Sequence, residues 1–318
     1  MATTKTPKKE TISIIVPCYN EEDVIGMCHD EITKVVDTLP YNFEIIYVND
    51  GSTDSTMDKL LAISKSDKRA LIINLSRNFG KEAAMTAGID NVKGDALIIL
   101  DADLQDPPSL IPDLIKMWKD TGADVVYGQR LIREGETWFK KFTANGFYKV
   151  INFIASNVEI PKNTGDFRLM NRRSIDALVQ LREKHRFMKG LFAWIGYKQV
   201  ALPYNRAPRA AGETKWSYVG LWNLAMEGIA GFSTTPLRIA SFFGLMISIL
   251  SFIFGGYIVI RTLIDGVDVP GWATLTVMIS FFSGIQLLSI GILGEYIGRI
   301  FGEAKKRPLY FIEDIYKK

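Results

Sequence analysis

Two apolar runs near the C-terminus constrain this chain more than any other feature. Residues 239–260 carry no charged side chain, and neither do residues 273–293. A helix needs about 20 predominantly apolar residues to cross a bilayer, and both runs reach that length. Between them lies a short connector with Asp265, Asp268, Pro270 and Gly271, whose one basic residue is Arg261. Lysine and arginine are dense after the second run, at Arg299, Lys305, Lys306, Arg307, Lys317 and Lys318. Cytoplasmic segments carry such an excess, so the pattern predicts an integral membrane protein with both ends in the cytoplasm and a short loop outside. Residues 1–10 are polar and basic, with no apolar stretch before the first strand, so they do not read as a secretory signal.

Ahead of the first run, Tyr218, Leu221, Trp222, Ala225, Ile229 and Phe232 recur at helical spacing. This predicts an amphipathic helix over 216–235 lying along the bilayer surface, with tryptophans at headgroup depth. In the second run, Ser280, Gly284, Gly291, Gly294 and Gly298 are small residues at spacings that let membrane helices approach closely. They suit the hairpin itself or a homo-oligomer, and the reading favours the latter.

The first two thirds of the chain alternate short β-rich runs, at 11–16, 43–48, 70–75, 96–100 and 123–127, with helical patterns at 21–39, 55–66, 81–92 and 109–121. Alternation of this kind predicts an α/β fold, a mostly parallel sheet covered by helices. Ligands of such sheets bind beyond the carboxyl ends of the strands. The polar segments that follow each strand, 17–21, 49–54, 76–80, 101–106 and 128–133, therefore fall on one edge.

The fourth segment carries the clearest chemistry. Asp101-Ala-Asp103-Leu-Gln105-Asp106 follows an apolar strand and puts two carboxylates on that edge. Oxygen donors with few protein contacts suit Mg²⁺ or Mn²⁺ bridging phosphates. An Asp-x-Asp by itself suits a solvated turn equally well. After the first strand, Tyr19 is placed to stack on a base and Glu21 to accept from it. After the second, Asp50 is placed to bond a ribose or base. No Gly-x-Gly-x-x-Gly follows a strand and no Walker A motif is present, so the nucleotide is held in some other way. The formal net charge of +3 argues against a general nucleic-acid binder, and Cys18, Cys28, His29 and His185 form no zinc-type pairing. Arg206, Arg209 and Lys215 stand just before the surface helix, where a lipid phosphate would lie.

Taken together, Pro17–Glu21, Asn49-Asp50-Gly-Ser-Thr-Asp54, Leu75-Ser-Arg77-Asn78-Phe-Gly80-Lys81, the Asp101–Pro107 run, Gly165-Asp166-Phe167-Arg168-Leu169 and the Arg209–Lys215 segment resemble the polyprenyl-phosphate glycosyltransferases. These are inverting family 2 enzymes of the GT-A, Rossmann-like fold and include the dolichyl-phosphate mannose synthases and bactoprenol glucosyltransferases. The motifs run in family order over about the first 215 residues, and the two apolar runs resemble the bactoprenol branch.

The resemblance implies a cytoplasmic GT-A domain over 1–215, the interfacial helix 216–235, two membrane helices over 236–298 and a cytoplasmic tail over 299–318, in a bacterial inner membrane. It implies that Asp101, Asp103 and Gln105 form the Mg²⁺ or Mn²⁺ and donor-diphosphate site. Pro17, Tyr19, Glu21 and Asp50 would form the nucleoside pocket. Arg130, Arg209 and Lys215 would meet the lipid phosphate, and Asp166 matches the acidic residue proposed as catalytic base. Asp103 and Asp166 are thus the catalytic candidates. The implied donor is UDP-glucose, with GDP-mannose, UDP-N-acetylglucosamine or a UDP-aminoarabinose as alternatives, and the implied acceptor is polyprenyl phosphate. A processive polysaccharide synthase would carry a Gln-x-x-Arg-Trp signature that this chain lacks. A non-catalytic membrane scaffold that binds nucleotide-sugar is the alternative from a different class.

Overall fold

The computed structural model describes residues 9–131, 160–184, 186–207, 235–266 and 271–317. Arg209, Lys215 and the surface helix expected over 216–235, up to Thr235, lie outside the described residues. The chain separates into two compact units, Met1–Gly228 with Pro308–Lys318, and Ile229–Arg307.

The first unit is built on β1 (Thr11–Cys18), β2 (Asn42–Asn49), β3 (Ala70–Leu75), β4 (Ala96–Ile99), β5 (Val125–Arg130), β6 (Thr164–Asn171), β7 (Gln199–Tyr204) and β8 (Ile312–Lys317). They form one sheet in the order β7-β5-β6-β4-β1-β2-β3-β8. The central strands β4, β1, β2 and β3 are parallel. Ile12, Ile14, Ile15, Ile45, Ile46, Ile72, Ile73, Ile98 and Ile99 are fully buried. Strands covered on both faces read as continuous apolar runs, which is why these four were visible in the sequence. Each such side chain contributes roughly 1.5–3 kcal/mol by leaving water.

The helices of this unit are α1 (Ile25–Val36), α2 (Thr56–Ser66), α3 (Lys81–Asp90), α4 (Ile111–Thr121), α5 (Arg172–Val179) and α6 (Met188–Trp194). The first begins later than the sequence suggested, because the backbone N–H groups of Glu21 and Glu22 donate to Thr56 Oγ1 and Asp54 Oδ2 instead of entering a helix. The α5 helix starts where the Asn171 side chain accepts from Ser174 N at 3.0 Å, an N-cap bond.

Strand direction decides what reaches the ligand edge. β6 runs antiparallel to both β4 and β5, and β7 runs parallel to β5. The carboxyl ends of β1, β2, β3, β4, β5 and β7 therefore meet the amino end of β6 on one edge. The last strand, β8, pairs antiparallel with β3 and was not expected from the sequence. Its segment also holds the loop after β3, where Ser76 N donates to Phe311 O at 3.0 Å and the Phe79 and Phe311 rings lie 6.3 Å apart.

The second unit contains α7 (Thr235–Asp265) and α8 (Trp272–Ala304), which pack against each other. The two helices cover the two apolar runs. Among the described residues, the segment Phe281–Ala304 is long and apolar enough to cross a membrane, and none of its apolar window is buried.

Candidate active site

The loop after β4 is shaped by its two ends. Leu100 N still bonds to Ile15 O at 2.9 Å, so Asp101 is the first residue to leave the sheet. Gln105 N donates to Asp103 Oδ1 at 3.1 Å, and Leu104 holds a φ of +57°. A bulky side chain in that left-handed region costs on the order of 1–3 kcal/mol, and such strain concentrates at functional sites. The far end is fixed by burial. Asp106 is 1% exposed and accepts from Arg130 Nη2, 3.2 Å from each carboxylate oxygen, and from the Tyr204 hydroxyl. Arg130 Nε donates to Tyr204 Oη at 3.2 Å. A Cβ on Gly165 would stand 2.6 Å from Arg130 Nη2, so a larger residue there would push the guanidinium off Asp106. The segment after β7 grips the loop again: Ala207 N donates to Gln105 O at 3.1 Å, and Arg206 Nη2 donates to Gln105 Oε1.

Lys81, the first residue of α3, joins the near end of this loop to the start of β6. Its Nζ lies 2.7 Å from Asp101 Oδ1, donates to Asp101 Oδ2 at 2.9 Å, and donates to Asp166 Oδ2 at 2.7 Å. Asp101 Oδ1 is buried, and the Lys81 ammonium is the cation against it. Burial alone would push the Asp166 carboxyl up, but Lys81 and Lys189 outweigh it and hold the group well below the usual carboxylate range. Burial likewise opposes the charge on Lys81, and Asp101 and Asp166 more than restore it. Glu82, next on the helix, is pushed up to about 8 by burial and then by the Asp166 charge. Its Oε2 is buried and unpaired among the described residues. Behind Asp166, Arg168 donates to the carbonyls of Asp166 and Gly165 and stacks 3.5 Å over the Phe192 ring. Burial lowers its guanidinium to about 10.

On the other side of β1 the loops after β1 and β2 are laced together. Asn20 N donates to Ser52 Oγ at 3.0 Å, and Thr53 N donates back to Asn20 Oδ1 at 2.8 Å. Pro17, Tyr19 and Glu21 are each half-buried beside this lacing. Asp50 is 2% exposed, and its two oxygens accept from Phe79 N at 2.7 Å and Gly80 N at 2.9 Å. Burial pushes its carboxyl up against those two bonds, which pull it down. Gly51, at φ +64°, lets the loop pass the backbone of Arg77, which a Cβ would meet at 2.4 Å.

The sequence-derived candidates thus fall into three groups. Asp101, Asp103, Gln105 and Asp166 come together around Lys81 and the loop after β4. Pro17, Tyr19, Glu21 and Asp50 meet at the ends of β1 and β2, where Asp50 secures the loop after β3 with both oxygens. Of the cations, Arg130 is tied to Asp106 and Tyr204, and Arg206 reaches Gln105. Sequence reasoning quoted Lys81 and Asp106 within motifs without giving either a role, and it missed Tyr204. Lys81 left one signal: a lysine in the first turn opposes the helix macrodipole, so something else must hold it there.

The family model described as Glycosyl transferase family 2 matches residues 13–179. The chain belongs to glycosyl transferase family 2. As a family 2 member it shares 49% identity over 305 residues with an uncharacterized glycosyltransferase of Synechocystis sp., covering 96% of this chain and 95% of that one. It shares 44% identity over 306 residues with a prophage bactoprenol glucosyl transferase homolog of Escherichia coli, covering 96% and 99%. With the bactoprenol glucosyl transferase of Shigella phage SfV it shares 44% over 303 residues, covering 95% and 98%. A solved structure of M. tuberculosis glucosyl-3-phosphoglycerate synthase with Mn²⁺, UDP-glucose and phosphoglyceric acid aligns at 19% identity and a TM-score of 0.49, over 70% of this chain and 78% of that one. That likeness is too loose to carry a site across. The mostly parallel α/β sheet is the GT-A fold of family 2, and the match takes in Asp50, Asp101, Asp103 and Asp166 but ends before β7.

Whether a family 2 glycosyltransferase of this sequence would hold a metal can be tested on its donor set. Among the described residues no three His, Cys, Asp or Glu side chains group as a metal cage. Two carboxylates in one loop, one of them with a buried oxygen already facing a cation in Lys81, fit an ion that takes its remaining ligands from water and phosphate.

Proposed function

We propose that this chain transfers glucose from UDP-glucose, with inversion, onto polyprenyl phosphate at the cytoplasmic face of a bacterial membrane. The observation that carries the reading is the likeness to the phage bactoprenol glucosyl transferase along nearly the whole of both chains. The reaction forms a bond between the anomeric carbon and a lipid phosphate oxygen and breaks the bond to the nucleoside diphosphate, which leaves from the opposite face. The transition state has oxocarbenium character.

Asp101 and Asp103 would hold Mg²⁺ or Mn²⁺, which when bound offsets charge on the departing diphosphate. The laced loops carrying Pro17, Tyr19, Glu21 and Asp50 receive the nucleoside. Arg206, Arg209 and Lys215 meet phosphate, and Arg130 acts indirectly by fixing Asp106. A phosphate monoester has a second pKa of about 6, so the acceptor is already largely anionic near neutrality. Asp166, paired with Lys81, is a poor base for a task that needs little base, and the role of its carboxylate is to position Lys81. Both apolar helices serve as membrane spans in this reading, and the last residues return to the first unit as β8 instead of forming a separate tail.

The test uses the purified full chain, Mg²⁺, undecaprenyl phosphate and radiolabelled UDP-glucose, with label counted in the lipid phase. Transfer that disappears with EDTA and in Asp103→Asn, while Asp166→Asn keeps measurably more activity than Asp103→Asn, is the expected outcome. Transfer from GDP-mannose but not UDP-glucose would change the sugar and keep the chemistry. Equal, complete loss in both variants with the fold intact would make Asp166 catalytic. No transfer from any donor, with nucleotide binding intact, would move the chain to the non-catalytic class.

A further inference from the structure

Three observations converge on Lys81. It occupies the first turn of α3, where the helix dipole disfavours a cation. Its Nζ is shared between Asp101 and Asp166, which belong to different elements and would otherwise face each other as two anions. The Asp101 oxygen it approaches most closely, Oδ1 at 2.7 Å, is buried, so the ammonium fills its one open side. A metal held by Asp101 would have to meet the ammonium at that carboxylate.

We propose that Lys81 competes with the divalent ion for Asp101 and, when displaced, remains on Asp166, so that metal binding is coupled to donor binding. The proposal rests on the reading of Asp101 and Asp103 as the metal-holding pair. A divalent cation and an ammonium repel each other strongly in a half-buried site, so they cannot share one carboxylate oxygen without cost. The ion alone must therefore displace Lys81 from Asp101, leaving the ammonium with one carboxylate instead of two. An ion arriving with a diphosphate brings anionic oxygens that give Lys81 a replacement partner. The lysine thus weakens binding of the bare ion and favours the ion–nucleotide pair, a coupling that acts equally in both directions. Asp166 keeps the displaced ammonium within reach of the diphosphate, which makes Lys81 and Asp166 positioning residues.

The experiment is a Mn²⁺ titration of the full chain in detergent, followed by the free-ion electron paramagnetic resonance signal, with and without UDP. Without nucleotide, Lys81→Met is expected to bind Mn²⁺ about tenfold more tightly than the unaltered chain, within the range of ordinary coupling free energies. UDP should then strengthen Mn²⁺ binding less in the variant than in the parent. Lys81→Gln repeats the measurement with a polar side chain should the methionine variant fold poorly. Lys189→Met removes a cation that acts on Asp166 without touching Asp101, and it should leave Mn²⁺ affinity within about twofold. Equal tightening in Lys81→Met and Lys189→Met would reduce the effect to general charge and overturn the proposal. Unchanged or weaker Mn²⁺ binding in both folded Lys81 variants, with binding still lost in Asp103→Asn, would overturn the proposal and leave the metal pair standing. Absence of Mn²⁺ binding in the parent and all variants would remove the metal pair itself, and the proposal with it.

Discussion

Asp101 and Asp106 sit five residues apart in one loop and are satisfied in opposite ways. Asp106 is buried and held by a guanidinium and a phenol from two different strands. Asp101 is half-buried and held by the tip of a lysine that it shares with Asp166. A carboxylate fixed by a planar guanidinium and a packed tyrosine has one geometry. A carboxylate met by a single ammonium on a flexible stem can exchange that partner for another cation. The loop therefore has an anchored end and a working end, with the strained Leu104 between them. Asp50 repeats the anchored pattern across the sheet, with two backbone N–H groups in place of the side chains.

Removing the anchor should produce the largest effect. Arg130→Met leaves the Asp106 charge buried without its cation, a change that costs about 3–5 kcal/mol. At roughly 2–4 °C per kcal/mol for a unit of this size, the thermal midpoint of the first unit should fall by on the order of 10 °C. Circular dichroism melts in detergent read this directly. A midpoint within a degree or two of the parent would mean that Asp106 is not held by Arg130, and the contrast with Asp101 would collapse.

The working end should give the opposite signature. Asp101→Asn is expected to slow lipid transfer by about 10²–10³-fold, the scale seen when one charge-stabilising group is lost from an active site. The thermal midpoint should stay near that of the parent, because Lys81 keeps Asp166. Parallel loss of stability and activity would show that Asp101 is as structural as Asp106.

How much of this was legible in the sequence depends on how far apart the partners lie. Strands β1 to β5 and the edge they share follow from local runs such as 43–48 and 96–100, because burial on both faces writes itself into consecutive residues. Asp101 and Asp103 were visible for the same reason, as the first polar residues after an apolar strand. Asp166 was placed by family resemblance alone, since β6 begins far along the chain and runs antiparallel, so its amino end serves the edge. Strand β8 stayed hidden because only Ile312 and Tyr316 are partly covered, leaving a charged segment that reads as a tail. The Lys81 pairings, which span 20 and 85 residues, and the Asp106–Arg130–Tyr204 cluster are long-range contacts that no local pattern encodes. Arg130 shows the cost most plainly. The family resemblance implied a phosphate ligand there, and in the fold Arg130 pairs with the Asp106 carboxylate in the loop after β4.

The finest test of the contrast is Tyr204→Phe. The ring packs edge-on against Phe167 at 5.9 Å and would remain, while only the hydroxyl that donates to Asp106 and accepts from Arg130 Nε is removed. Asp106 keeps its guanidinium, so the loss should be about 1 kcal/mol, the net contribution of one hydrogen bond, and a few degrees in the midpoint. Transfer should stay within a few fold of the parent, because the hydroxyl is spent inside the anchor and does not reach substrate. A fall in transfer comparable to that of Asp101→Asn, without a matching fall in stability, would place Tyr204 at the working end. The anchor would then extend into the chemistry rather than merely support it.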